Sequence, residues 1–342
     1  MTSNGERVMT SRECVLNTIN RKPIDRVPYS FDLTRVIMQK LADHYSVLPE
    51  KLLAYIRDDL LYVYHGMKND KFELCDVDEF GVHWDTSDKS KLIGDWGSIL
   101  KYPLPEPKLD GYNFPDGGKK QRFEHFNNAE LESQNRFVIL SMTGLFDLSW
   151  HMRGFENFMM DMVSDEDFAD ELLDRVLQYS LEVIAAIPEA VDGVRVAEDW
   201  GLQKGLIFSA SLWRRYLKPR LKILYNAIRT RDLKLFIHTC GDVAELFPDF
   251  IELGVEVVHP IQPEAMDIVK LQREYGKDIC MYGGLGTQST LVFGTPRDIL
   301  EDAKARLTTF HHGGYILGPA GAISTDAKIE NVIALVDFAM SL

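Results

Sequence analysis

Leu233-Lys234-Leu235-Phe236-Ile237 is a short apolar run, and His238-Thr239-Cys240-Gly241-Asp242 follows it directly. Next come an amphipathic pattern, Val243–Leu253, and a second apolar run, Val255–Val258. Short runs rich in β-branched and aromatic residues, bounded by polar or turn residues, predict buried strands. Two strands joined through a helix pair in parallel, because the helix carries the chain back to the edge where the first strand began.

The same rhythm extends outward in both directions. Val27–Phe31, Arg136–Ser141, Gly193–Ala197, Ile279–Tyr282 and Tyr315–Leu317 read as further strands. Asp165–Ala186, Ser211–Thr230, Met266–Tyr275 and Pro296–Phe310 read as helices between most of them. The strand total falls one short of a barrel's, and one strand stays unassigned. A doubly wound open sheet would offer a glycine-rich loop after its first strand, whereas here Asp32-Leu33-Thr34 follows. The expected fold class is therefore α/β, a TIM-like (β/α)8 barrel forming a single domain over residues 1–342. From about Lys71 to Asn128 the rhythm breaks into Asp, Gly, Pro and aromatic residues, as in Phe80-Gly81-Val82-His83-Trp84 and Tyr102-Pro103-Leu104-Pro105. This stretch is expected to be a loop and hairpin insertion over the barrel mouth, of the kind that serves as a lid or a substrate wall.

Composition narrows the partners. With 38 Lys plus Arg against 52 Asp plus Glu, the net charge is −14, which repels nucleic-acid phosphates and anionic membranes. Hydrophobic residues at 45% provide a full core, so the chain is not disordered. No apolar run is long enough to span a bilayer, and Met1 to Arg12 lacks the apolar stretch of a secretory signal. Cys14, Cys75, Cys240 and Cys280 are too dispersed for a disulfide framework and fit a reducing compartment, the cytoplasm. The oligomeric state stays open.

In such a barrel, polar side chains just past the strand C-termini converge on one mouth. Here that rule collects Ser30 and Asp32, then Ser141, Thr143 and Asp147, then Glu198 and Asp199. It continues with His238 and Cys240, His259 and Gln262, Tyr282, and finally Ser324 and Asp326. His238 and Cys240 are two apart at a strand end, so both side chains can enter one cavity. Imidazole plus thiolate is a natural zinc pair, and a third ligand would leave a position open for a substrate thiol. The bland reading is a hydrogen-bonded histidine beside a small buried cysteine. Only one of Glu198 and Asp199 can face the mouth, as a metal ligand, a general base or a partner of a substrate cation. An ion pair with Arg195 or Arg214 accounts for either equally well. Ser141, His259, Gln262 and Tyr282 are candidate substrate-binding wall residues. Gly283-Gly284 and Gly313-Gly314 read as turns, and His311-His312 as a helix C-terminal feature.

The order and spacing of several motifs resemble the uroporphyrinogen decarboxylase superfamily, and within it the corrinoid-linked methyltransferase branch. Near the start these are Thr10-Ser11-Arg12-Glu13-Cys14-Val15-Leu16 and Asp25-Arg26-Val27-Pro28. Further on come Glu198-Asp199-Trp200-Gly201-Leu202-Gln203, Lys218-Pro219-Arg220, His238-Thr239-Cys240-Gly241-Asp242 and Pro260-Ile261-Gln262-Pro263. Tyr282-Gly283-Gly284, Gly313-Gly314-Tyr315-Ile316-Leu317 and Glu330-Asn331-Val332-Ile333-Ala334 complete the set. The resemblance implies a TIM-like barrel. True uroporphyrinogen decarboxylases carry Arg-Gln-Ala-Gly-Arg after the first strand to hold substrate carboxylates, whereas this chain has Tyr29-Ser30-Phe31-Asp32-Leu33-Thr34. Haem-pathway decarboxylation is therefore not expected.

The methyltransferase branch holds zinc with a His-x-Cys pair, matched by His238 and Cys240, and a distant cysteine near the last strand. At that place this chain reads Gly318-Pro319-Ala320-Gly321-Ala322, without a thiol. Glu198 is the expected substitute, since Cys280 lies inside its strand. The resemblance thus implies a methyltransferase that moves a methyl group between a small substrate and a methyl-corrinoid carried by a partner corrinoid protein. Zinc would sit on His238, Cys240 and Glu198, and the harder ligand set leans toward a methoxylated donor. Two other readings are a decarboxylase or lyase run by Asp32, His238 and Glu198 as acid and base, and a binding protein without catalysis.

Overall fold

The structure is a computed structural model that describes residues 8–65, 77–85, 97–124, 126–128, 131 and 134–342. In chain order its strands are β1 (Leu60–Tyr64), β2 (His83–Asp85), β3 (Ser98–Lys101), β4 (Phe137–Thr143), β5 (Gly193–Ala197) and β6 (Gly201–Leu202). They continue with β7 (Gly205–Leu206), β8 (Lys234–His238), β9 (Val257–Ile261), β10 (Cys280–Leu285) and β11 (Tyr315–Pro319). A seven-stranded sheet runs in the order β1-β4-β5-β8-β9-β10-β11, with β2–β3 and β6–β7 as separate antiparallel hairpins. The pairs β4–β5, β5–β8, β8–β9 and β10–β11 are parallel, and helices lie between them along the chain, as the alternation requires. The fold is α/β, of the TIM-barrel type.

The chain divides into two compact units. One comprises Met1–Leu61, Ala129–Val138 and Pro260–Leu342; the other comprises Tyr62–Asn128 and Ile139–His259. In the first, the expected strand at Val27–Phe31 is an extended segment with isolated parallel bridges, Tyr29 to Leu317 and Leu33 to Ile323. Side chains explain why it is not a full ladder strand. The Tyr29 amide donates to the Asp59 carboxylate at 2.8 Å and the Phe31 amide to Asp58 at 2.7 Å, while Pro28 has no N–H to give. Asp59 also takes a two-pronged ion pair from Arg26, and Asp58 faces Arg136. Burial pushes the Asp58 carboxyl up to about 6, and Arg136 offsets part of that rise. The strand left unassigned from sequence is β1, Leu60-Leu61-Tyr62-Val63-Tyr64.

In the second unit, β4 is buried over all but its last residue and β5 over its first four. The predicted helix Ser211–Thr230 is two helices, Ala210–Tyr216 and Lys218–Arg229, because Pro219 cannot donate to the preceding turn. The pattern Val243–Leu253 likewise opens as a short 3-10 turn, with Pro248 in the first turn of the Phe247–Leu253 helix that follows. Trp200 and Trp213 are buried edge to face at 5.4 Å, and Phe250 packs on both. This aromatic cluster anchors the chain immediately after Glu198 and Asp199.

The described part of the insertion docks on two helices of the same unit. Trp84 meets His151 of the Leu145–Arg153 helix edge-on at 5.1 Å, and the Leu104 amide donates to the Met152 carbonyl. Phe80 and Arg122 meet Tyr179 of the Glu166–Ala186 helix. Lys71 and Cys75 lie outside the described residues. Among those residues, no helix is long and apolar enough to cross a membrane.

Candidate functional site

Parallel register builds the site. Ala197 of β5 pairs with His238 of β8, and His238 with His259 of β9, so the ends of β5 and β8 arrive level with the middle of β9. Backbone bonds continue past them, with Glu198 N donating to His238 O at 3.0 Å and Thr239 N to His259 O at 2.8 Å. His238 and Cys240 lie side by side, with His238 Nε2 3.6 Å from Cys240 Sγ. On its other side the His238 ring meets His259, Nδ1 to Nδ1, at 2.8 Å.

The acidic residue that joins them is Asp199. Ligand atoms of Asp199, His238 and Cys240 all lie within 4.8 Å of one another, and the Cys240 amide donates to Asp199 Oδ1 at 2.7 Å. Glu198, expected as the third ligand, points elsewhere. It is 1% exposed and its Oε2 accepts from the Phe146 amide at 2.7 Å, at the start of the Leu145–Arg153 helix. Side chains of adjacent residues leave an extended chain on opposite faces, so only one of the two can join the pair. Glycine at 144 admits the glutamate, since a Cβ there would lie 2.3 Å from the Glu198 carboxyl carbon.

Burial pushes the Glu198 carboxyl up to about 8, and the neighbouring Asp147 charge adds to the rise. Asp147 is itself pushed to about 8, by burial first and by Asp199 second; its Oδ2 accepts from the Asp199 amide at 3.2 Å. His259 is fully buried, and that burial, with His238 and Arg195 nearby, holds its pKa well below the usual histidine range.

The cluster fits zinc. Zn–S of about 2.3 Å and Zn–N of about 2.0–2.1 Å at tetrahedral angles separate the two donors by about 3.5 Å, close to the spacing seen here. Three donors would leave a fourth position open. The loop that carries Cys240 is held from behind: Gly241 has φ +82°, and a Cβ on it would strike the Gly201 backbone at 2.3 Å.

The remaining predicted residues fall into two groups. In the unit that holds the cluster, Ser141 accepts from Arg195 Nε at 3.0 Å, and the guanidinium lies 4.2 Å over the Tyr62 ring. Asp32, Gln262 and Tyr282 belong to the other unit. There Tyr282 OH donates to Ser30 O, Gln262 Nε2 donates to Ala320 O, and the Asp32 carbonyl accepts from Ile323 N. Cys280 is buried as the first residue of β10. His311 contacts Thr308 O at its helix end, as a C-terminal feature should. Sequence reasoning missed the pairing of His259 with His238; the signal was there in two histidines that each follow a predicted apolar run, Leu233–Ile237 and Val255–Val258.

The class so defined is an α/β protein of the TIM-barrel type with a His/Cys/Asp cluster that could hold a metal ion. The chain belongs to the uroporphyrinogen decarboxylase family, whose sequence profile matches residues 129–342. No curated protein matches the sequence. Among solved structures, a methyltransferase from Methanosarcina mazei is similar over 97% of this chain and 98% of that one, with 19% identity and a TM-score of 0.73. Native xylanase 10B from Thermotoga maritima is similar over 97% and 98%, with 12% identity and a TM-score of 0.45.

Proposed function

We propose that this protein is a zinc-assisted methyltransferase moving a methyl group between a small substrate and a corrinoid carried by a partner protein. Asp199, His238 and Cys240 would hold the metal. The observation that carries the reading is the 3.6 Å spacing of His238 Nε2 and Cys240 Sγ with Asp199 alongside. Family membership and the fold likeness to a methyltransferase support it.

When bound, zinc supplies Lewis acidity toward a substrate heteroatom. The chain's own part is positioning. Asp199 is fixed by the Cys240 amide, and its backbone by Asp147, so the donors need little rearrangement to accept a cation. One thiolate and one carboxylate make a harder ligand set than two thiolates, and that favours an ether oxygen over a thiol. The substrate class that fits is a methoxylated compound, whose oxygen keeps the bonding pair as the methyl group departs.

Elemental analysis of protein purified without added zinc should find roughly one zinc per chain. Anaerobic incubation with reduced cobalamin and a methoxylated arene should then methylate cobalt, read from its absorbance, and release the phenol. Metal-free protein with no transfer from either ether or thioether donors would sink the reading.

A further inference from the structure

The contact between His238 and His259 carries information about protons. Their Nδ1 atoms are 2.8 Å apart, and a hydrogen bond between two imidazole nitrogens needs one N–H and one bare lone pair. If His238 supplies the N–H, its Nε2 is bare, and that atom lies 3.6 Å from Cys240 Sγ. If His259 supplies it, a neutral His238 must carry its proton on Nε2, where the N–H points at the cluster and blocks a cation. Only the first tautomer can ligate a metal.

Backbone register holds the two rings together. His238 and His259 are paired residues of β8 and β9, and Thr239 N is bonded to His259 O. His259 is fully buried, so its ring has no room to swing away.

We propose that His259 is a positioning residue for the metal centre. By accepting a hydrogen bond from His238 Nδ1–H, it fixes the ring and the tautomer that turn bare Nε2 toward Asp199 and Cys240. The inference rests on the metal reading above. The usual partner of a metal-binding histidine is a carboxylate, a carbonyl or water. A neutral imidazole pushes less charge onto the ligand than a carboxylate does, and so leaves the metal the stronger Lewis acid.

The test uses the full chain and its His259→Phe and His259→Asn variants. Zinc affinity is measured by competition with a chromophoric chelator, and the cobalt(II)-loaded forms are compared by absorption. His259→Phe should weaken zinc by about 10–100-fold. His259→Asn, whose amide oxygen can take the place of Nδ1, should recover most of that loss. Nitrogen-15 spectra of zinc-loaded wild type should show the His238 proton on Nδ1. Unchanged affinity in His259→Phe, or equal losses in both variants, would overturn the inference while leaving the metal site standing. Should His259→Phe fail to fold, the asparagine variant and the wild-type spectrum decide, and a proton on His238 Nε2 in the loaded protein overturns the inference. Wild type that binds no zinc at all removes the metal reading and this inference with it.

Discussion

Asp199 and Glu198 are neighbours with opposite fates, and substitution should separate them. Asp199→Asn removes a charged donor from the cluster while keeping an oxygen for the Cys240 amide; it should weaken zinc binding by about tenfold or more. Glu198→Gln should keep most of the zinc, because that side chain is turned to the Phe146 amide. Chelator competition on both variants measures the difference, and the reverse order would reinstate Glu198. His238 and Cys240 were legible because alternate residues at a strand end share a face. The choice between Glu198 and Asp199 was not, because it depends on which face is closed by the Leu145–Arg153 helix, and the sequence of β5 holds no record of that. His259 stood in view as a wall residue. Its partner became visible only when register set it level with His238.

The helix–loop elements around the site give two stability tests. Asp249, on the Phe247–Leu253 helix, takes bonds from Arg214 and Lys218 on the two preceding helices. Burial alone would raise its pKa, but those two cations outweigh burial and the net shift is downward. A carboxylate with a depressed folded pKa stabilises above its unfolded value, near 4, and that contribution fades as pH falls through the folded one. Asp249→Asn should therefore cost about 1 kcal/mol at pH 7, a modest figure because Arg214 is half exposed. In denaturant titrations the gap to wild type should close at low pH. Gly241→Ala would place a Cβ against the Gly201 backbone at positive φ, and should cost about 1–3 kcal/mol together with metal affinity. Melting temperature and zinc content check this jointly. Most strands and helices were legible from their periods. Two kinds of feature were not. β1 escaped although Tyr62, Val63 and Tyr64 are good strand formers, because Leu60 and Leu61 suit a helix as well, and the helix breaks at Pro219 and Pro248 lie inside patterns that read as continuous.

Taken whole, the molecule is an acidic α/β protein whose first extended segment is pinned by Asp58 and Asp59. A porphyrinogen bearing several carboxylates finds no arginine in Tyr29–Thr34 to meet it, so incubation with uroporphyrinogen should yield no coproporphyrinogen by fluorescence-detected chromatography. Useful turnover there would reverse the functional reading. The fold class was legible because the strand–helix alternation persists along most of the chain. Asp199, His238, Cys240 and His259 all belong to one of the two units, the one that ends at His259. A bound ligand slows amide exchange most in the segments that must open to release it. Zinc at about 100 times its Kd adds about 2.7 kcal/mol to whatever opening reaction releases it. Deuterium uptake should thus slow most over 139–259, while peptides from 260–342 exchange at nearly their metal-free rates.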